Sequence, residues 1–237
     1  MTHRTLGVIG GLGLETGQKF CTIIASKVRN ATNVQPSIIC HIVNLTLALE
    51  TDLIYGRTSE EHFSILNDSI KSLELAGADN IAIPCNTVHV FIDRLRNVSN
   101  TPIFSIIEET ALEIAHKDLD AVGILASSTT INAGLYQKEL SKHDIKAILP
   151  TINDQKIISD MIFNILNKNP IQKNVVDANA VIKRLETAGA KAIILGCTDL
   201  RLVKLSSKLP VIDSTAVLEE AVINYMVRNA NNKTQRL

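Results

Sequence analysis

The run "GADNIAIPC" (residues 77–85) returns later as "GAKAIILGC" (residues 189–197), with Gly, Ala, Ile and Cys in register and no gap between the two copies. Each is a short apolar stretch that opens on a Gly-Ala turn and closes on cysteine, followed by a polar turn, "NTVH" (86–89) or "TDL" (198–200). Two looser echoes flank this repeat: "LGVIGGLG" (6–13) with "VGILASSTT" (122–130), and "TPIFSIIEETALEIA" (101–115) with "LPVIDSTAVLEEAV" (209–222). Repeats of this length indicate a duplicated domain rather than a solenoid.

Working outward, short β-rich runs alternate with helix-length amphipathic segments from end to end. Strands are expected near 5–10, 37–43, 80–84, 102–105, 121–126, 145–149, 191–195 and 210–213, with helices in most intervals. That alternation implies βαβ units and parallel sheets. The fold class is therefore α/β: two flavodoxin-like domains with parallel sheets related by pseudo-two-fold symmetry. No Pro/Gly/Ser-rich linker divides the halves, and the boundary is placed near residue 100. The stripe Phe63, Leu66, Ile70 and Leu73 falls at helical spacing and is assigned to core or a dimer face. Only the tail "RNANNKTQRL" (228–237) reads as frayed.

Composition narrows the function classes. Of the 237 residues, 46% are apolar but only 3% aromatic, and none is Trp, so the core is aliphatic. Lys plus Arg (24) balances Asp plus Glu (24), which leaves no basic stripe for nucleic acid. The start "MTHRTLGVIG" has no apolar leader segment, and no run approaches the length needed to span a bilayer, so a cytoplasmic protein without a membrane partner is expected.

The four cysteines, Cys21, Cys40, Cys85 and Cys197, have neither CxxC nor other metal-ligand spacing and are too sparse for a disulfide scaffold. No metal is expected; His89, four residues after Cys85, has no further ligand at suitable spacing and reads as a polar helix residue. Cys21 and Cys40, inside a helical and a strand segment, read as inert buried thiols. Cys85 and Cys197 differ, because ligands in an open parallel sheet bind beyond the carboxyl ends of its strands, and both fall there. Cys85 is read at a helix N-terminus, where free N–H groups favour thiolate, and Cys197 likewise. The run "GGLGLETG" (10–17) misses the dinucleotide fingerprint: from Gly11 the third glycine falls at Thr16, and Asn44 rather than an acid follows the second strand.

If the two halves pack with their sheet ends facing, the two thiols approach one cleft from opposite sides. A carbon acid held between them can lose a proton to one and gain a proton from the other, which inverts the centre. Together with "VIGGLGLETG", "GADNIAIPCNTVH", "PIFSIIEETA", "GILASSTTINAGLYQKEL", "GAKAIILGCTDL" and "PVIDST", these residues resemble the cofactor-independent aspartate/glutamate racemase family, most closely its aspartate racemase branch.

The resemblance implies an amino acid racemase that uses no cofactor, with Cys85 and Cys197 as the two acid/bases. It also implies that Asn86, Thr87, Thr130 and Thr198 bind the substrate's α-carboxylate, that Gly10 and Gly11 let the backbone approach the ligand, and that the protein is a homodimer. By the same resemblance the last strand and helix return to the first domain, giving domains 1–99 plus 208–237, and 100–207. One departure matters. Where aspartate racemases carry an Arg-Thr pair that holds the acidic side chain, the gap-free match is Glu50-Thr51, and Arg57 matches only after a shift of the loop. The family's second anion-binding group, a Lys, is approximated by Lys173, one position out of register. A substrate with a neutral or basic side chain facing Glu50 is the expectation. The alternatives are a maleate isomerase or hydantoin racemase type of reaction, or an amino-acid sensor without turnover.

Overall fold

The computed structural model describes residues 4–13 and 15–234. Among the described residues eight strands form two four-stranded parallel sheets. The first contains β1 (Thr5–Gly10), β2 (Ser37–Ile42), β3 (Asn80–Ala82) and β4 (Ile103–Phe104), in the order β2-β1-β3-β4. The second contains β5 (Ala121–Ala126), β6 (Lys146–Ile148), β7 (Ala192–Gly196) and β8 (Val211–Asp213), in the order β6-β5-β7-β8. Each of the eight expected strands is present, and the second half repeats the strand order of the first.

Helices connect them: α1 (Thr16–Thr32), α2 (Leu47–Ile54), α3 (Glu60–Leu75), α4 (Ile92–Val98), α5 (Ile106–Ala115), α6 (Ser128–Asn132), α7 (Leu135–Ser141), α8 (Ile152–Leu166), α9 (Gln172–Thr187) and α10 (Ser214–Thr234). Hydroxyl caps set several starts: Thr46 accepts from the Leu49 amide, Ser105 from Glu108, Ser127 from Thr130 and Thr151 from Asp154. The helix read as frayed beyond residue 228 continues to Thr234, and residues 235–237 lie outside the described residues.

Alternation along the strands explains three apolar clusters, because parallel strands buried on both faces read as nearly continuous Ile, Val and Leu. Val8 and Ala82 of the first sheet and Val122, Ile124, Ala126, Ala192 and Ile194 of the second share one central cluster with α1, α5, α7 and α10. Ile9, Ile81 and Ile83 face the other way, onto Leu66, Ile70 and Leu73 of α3. Leu125, Ile193 and Leu195 do the same onto α8 and α9. The helical stripe of α3 is thus core.

Two expectations about the halves are corrected. Ile103 pairs with Ile81, so β4 belongs to the first sheet although it lies beyond residue 100. Ile212 pairs with Ile194, so β8 belongs to the second sheet and does not return to the first. The physical reason lies in the repeat itself: each Pro-strand-helix echo supplies the edge strand of its own sheet. Helix α10, which follows β8, packs against both α1 and α5 of the first half.

Candidate active site

Both β3 and β7 run into a cysteine at their carboxyl ends. After β3, Cys85 precedes a 3-10 helix (Thr87–Phe91) that leads into α4; after β7, Cys197 caps a 3-10 helix (Thr198–Leu202). Contrary to the expectation from the sequence, neither cysteine therefore begins an α-helix. The local amides still act on the thiols: the Val88 and Thr87 N–H groups favour the Cys85 thiolate, and those of Asp199 and Leu200 the Cys197 thiolate.

The two turns face a common cavity between the halves that encloses about 470 Å³ of non-atom space, part of it open to solvent. Its floor is Cys85, Asn86 and Thr87 from one half and Cys197, Thr198, Asp199 and Ser127 from the other, with Leu12 and Gly13 of the first strand's turn beside them. Its remaining wall is Leu45, Glu50, Leu53 and Ile54 on one side and Ile162 and Leu166 on the other. Residues 50, 53 and 54 lie on one face of α2, and 162 and 166 on one face of α8, so these helices close the cavity as opposing jaws.

Burial dominates the thiols. It pushes the Cys85 thiol up to about 11, with the charges of Asp199 and Glu50 adding to the rise and the Val88 and Thr87 amides opposing it. Burial pushes Cys197 well above the ordinary thiol value too; Asp199 and then Cys85 raise it further, the Asp199 and Leu200 amides opposing. Desolvation thus outweighs a few N–H dipoles and favours the thiol over the thiolate expected of a helix terminus. That each cysteine feels Asp199, and Cys197 feels Cys85, puts the two thiols in one electrostatic environment. The Cys197 thiol points at Asp199 Oδ2 at 3.9 Å.

Around the thiols, side chains of one half bond side chains of the other. Asn86 donates to Ser214 Oγ (3.0 Å) and accepts from the Tyr136 hydroxyl (2.6 Å), while Ser214 donates to the Leu195 carbonyl (2.7 Å). Thr87 Oγ1 shares a hydrogen bond with Ser127 Oγ (2.8 Å), which in turn bonds Thr130 Oγ1 (3.0 Å). Hence Asn86 and Thr87 line the cavity, and Asn86 is also a strut between the halves. Thr130 stands one residue behind the lining, and Ser127 occupies the place expected for it.

Thr198 and Glu50 line the cavity; Thr51, Gly10, Gly11 and Lys173 do not. Thr51 bonds back to the Leu47 carbonyl, and Lys173 lies at the exposed start of α9. A Cβ at Gly10 would meet Ile42, and the Gly10 Cα lies where a Cβ at Gly17 would fall, so Gly10 serves the crossing of α1 over β1. Gly11, with φ +80, turns the chain against the Val43 carbonyl. Gly13, with φ +124, is the glycine that approaches the site, since a Cβ there would press on Asp199. Arg57 pairs with Asp52 (2.6 Å) on the surface and does not enter the cavity. Among the described residues no Lys, Arg or His lines it.

His89 is buried and neutral: one ring nitrogen bonds the Cys85 carbonyl (2.7 Å), the other accepts from the Ile106 amide (3.2 Å), and burial lowers its pKa to about 4. It fixes the Cys85 turn. Among the described residues no cluster of potential metal ligands occurs. Cys40 departs from its expected burial: it is exposed on the edge strand and hydrogen-bonded to Cys21, which lowers Cys40 to about 7 and raises Cys21.

A duplicated α/β fold whose halves each deliver a cysteine to one shared cavity defines a narrow class of proteins. A family model described as Asp/Glu/Hydantoin racemase matches residues 9–222, and the chain belongs to that family. It is 32% identical over 163 residues to the broad specificity amino-acid racemase RacX of Bacillus subtilis (strain 168), across 68% of this chain and 70% of that one. A putative Asp/Glu racemase from Yersinia pestis superposes with a TM-score of 0.81 at 26% identity, covering 94% of this chain and 99% of that one. An aspartate racemase homologue from Pyrococcus horikoshii OT3 superposes with a TM-score of 0.72 at 25% identity, covering 95% and 99%. Among the described residues no helix is long and apolar enough to cross a membrane.

Proposed function

We propose that the protein interconverts the L and D forms of a free amino acid, with Cys85 and Cys197 as proton acceptor and donor on opposite faces of Cα, and that it disfavours acidic side chains. The observation that carries this reading is the pair of thiols at equivalent strand ends of the two halves, opening on one cavity. One thiolate takes the Cα proton; the electron pair delocalises onto the α-carboxylate, where Thr87, Thr198, Ser127 and Asn86 offer donors; the opposing thiol then protonates the other face. The reaction balances without a further group, and the second thiol becomes the thiolate that starts the reverse reaction.

The raised thiols assign the substrate a part in its own activation. A zwitterion brings its α-ammonium into a cavity whose fixed charges are Glu50 and Asp199, and a cation near a thiol favours its ionised form. Disfavour of acidic substrates follows from those two carboxylates, with no cation among the described residues of the lining. Single enantiomers of alanine, norleucine, lysine, aspartate and glutamate, followed by chiral chromatography, test the reading. Inversion with aspartate and glutamate slowest is expected; clear preference for aspartate, or no inversion of any amino acid, refutes it.

A further inference from the structure

We infer that the side-chain end of the cavity is an ammonium subsite, in which Glu50 receives the terminal amine of a lysine- or ornithine-type amino acid. The inference rests on the racemase reading above and names its substrate class.

The subsite is built from both halves. Glu50 projects from α2 beside Leu53 and Ile54, across from Ile162 and Leu166 of α8, with Leu45 completing the wall. The jaws are tied to each other by the Tyr55 hydroxyl, which donates to Asp160 of α8 (2.8 Å), and by Tyr55 against Phe163. His62 on α3 bonds the Leu49 carbonyl (3.1 Å), fixing the turn of α2 that bears Glu50. A carboxylate thus stands in an aliphatic surround on braced elements, which is the arrangement that selects by charge.

Three kinds of side chain can enter. An acidic one adds a carboxylate to a cavity that already holds Glu50 and Asp199, and like charges in an apolar surround repel strongly. A neutral aliphatic one contacts the leucines and isoleucines but leaves Glu50 partly desolvated and unmatched. An unbranched chain ending in an ammonium lays its methylenes on the aliphatic wall and brings its charge to Glu50. Burial already pushes the Glu50 carboxyl up, so a cation there offsets an existing penalty. The same pairing blunts the charge of Glu50 on Cys85, one of the causes of that thiol's raised pKa.

The discriminating comparison is lysine against norleucine, which has the same unbranched stem but no terminal ammonium, in the intact protein and in Glu50→Gln and Glu50→Asp variants. The expected lysine-to-norleucine ratio of kcat/KM is about tenfold or more, collapses toward unity in Glu50→Gln, and is retained in part by Glu50→Asp. Calorimetric binding of L-lysine and L-norleucine reads the same subsite without turnover, with the lysine preference expected in the intact protein and lost in Glu50→Gln. Circular dichroism verifies that the variants fold; should Glu50→Gln fail to, Glu50→Asp and the intact protein still read the preference. A ratio near or below unity in the intact protein, or one unchanged in Glu50→Gln, overturns the ammonium subsite. Racemisation of norleucine without lysine preference would overturn this inference alone. Lysine-selective binding with no inversion of any amino acid would overturn the racemase reading and leave the subsite standing.

Discussion

The two cysteine turns occupy equivalent places in a duplicated fold, yet they are held and charged differently. Behind Cys85 stands His89, a neutral ring that joins the Cys85 carbonyl to the start of α5. At the same offset that separates the cysteines stands Arg201, which reaches the corresponding β8-α10 junction by ion pairs to Asp213 (3.1 Å) and Glu219 (2.7 Å). Within the turns, Thr87 is matched by Asp199, a hydroxyl by a carboxylate. Duplication preserved the position of each thiol and of its tether, while the electrostatics of the two sides diverged.

That difference is open to attack at several strengths. Replacing either cysteine by alanine is expected to lower racemisation by about a thousandfold or more. The loss must appear in both directions, because enantiomers have equal free energies and kcat/KM for L to D equals that for D to L. Steady-state kinetics with each enantiomer checks this.

The tethers come next. Glu219 is 3% exposed, so Arg201→Ala strands a buried carboxylate and is expected to cost about 3 kcal/mol or more of stability by urea unfolding. His89→Ala removes neutral bonds and is expected to cost less, about 1–3 kcal/mol. Equal losses would erase the contrast between the two tethers.

Acid separates them as well. Folding lowers the His89 pKa from 6.5 to about 4, so its contribution is fully present above pH 6.5 and is lost as pH falls through 4. The loss is on the order of 3 kcal/mol. Unfolding midpoints measured across that window should fall in the parent protein and stay flatter in His89→Ala.

The smallest effect is expected at the charged turn. Asp199 raises both thiols, so catalysis that needs one thiolate should increase with pH above neutrality. Asp199→Asn should shift that rise to lower pH. It should also change kcat and KM unequally for the two enantiomers, while their ratios stay equal. An unshifted profile would show that the carboxylate is electrostatically idle.

Much of this was legible in the sequence because it depends on local patterns. The apolar runs that give β1, β5 and β7 are bounded by Gly and Cys, and the repeat exposes Cys85 and Cys197 directly. What stayed hidden depends on contacts between halves. Asn86 reads as a ligand-binding amide, but its further part as a strut held by Tyr136 and Ser214 is invisible, since nothing local links residues so far apart. Ser127 carries a local signal, as the hydroxyl that begins a helix after β5, but it shares the "SSTT" run with Thr130, three residues on, and only the contact to Thr87 tells the two apart. Ile162 and Leu166 carry no local signal of a site, because apolar residues of a helix are indistinguishable from core until α2 lies opposite. The apparent return of β8 to the first sheet failed because strand pairing is set by the repeat, whereas α10 does bridge to α1.

The central claim is that two different thiols act on opposite faces of one carbon, and the most direct test is the early time course of a single L-amino acid in D2O, followed by chiral separation and mass measurement of each enantiomer. The account predicts that the newly formed D-enantiomer carries one deuterium at Cα while the remaining L-enantiomer stays protiated. Deuterium appearing equally early in the remaining L-enantiomer, or a D-enantiomer that retains the original proton, would mean that one base serves both faces and would contradict it.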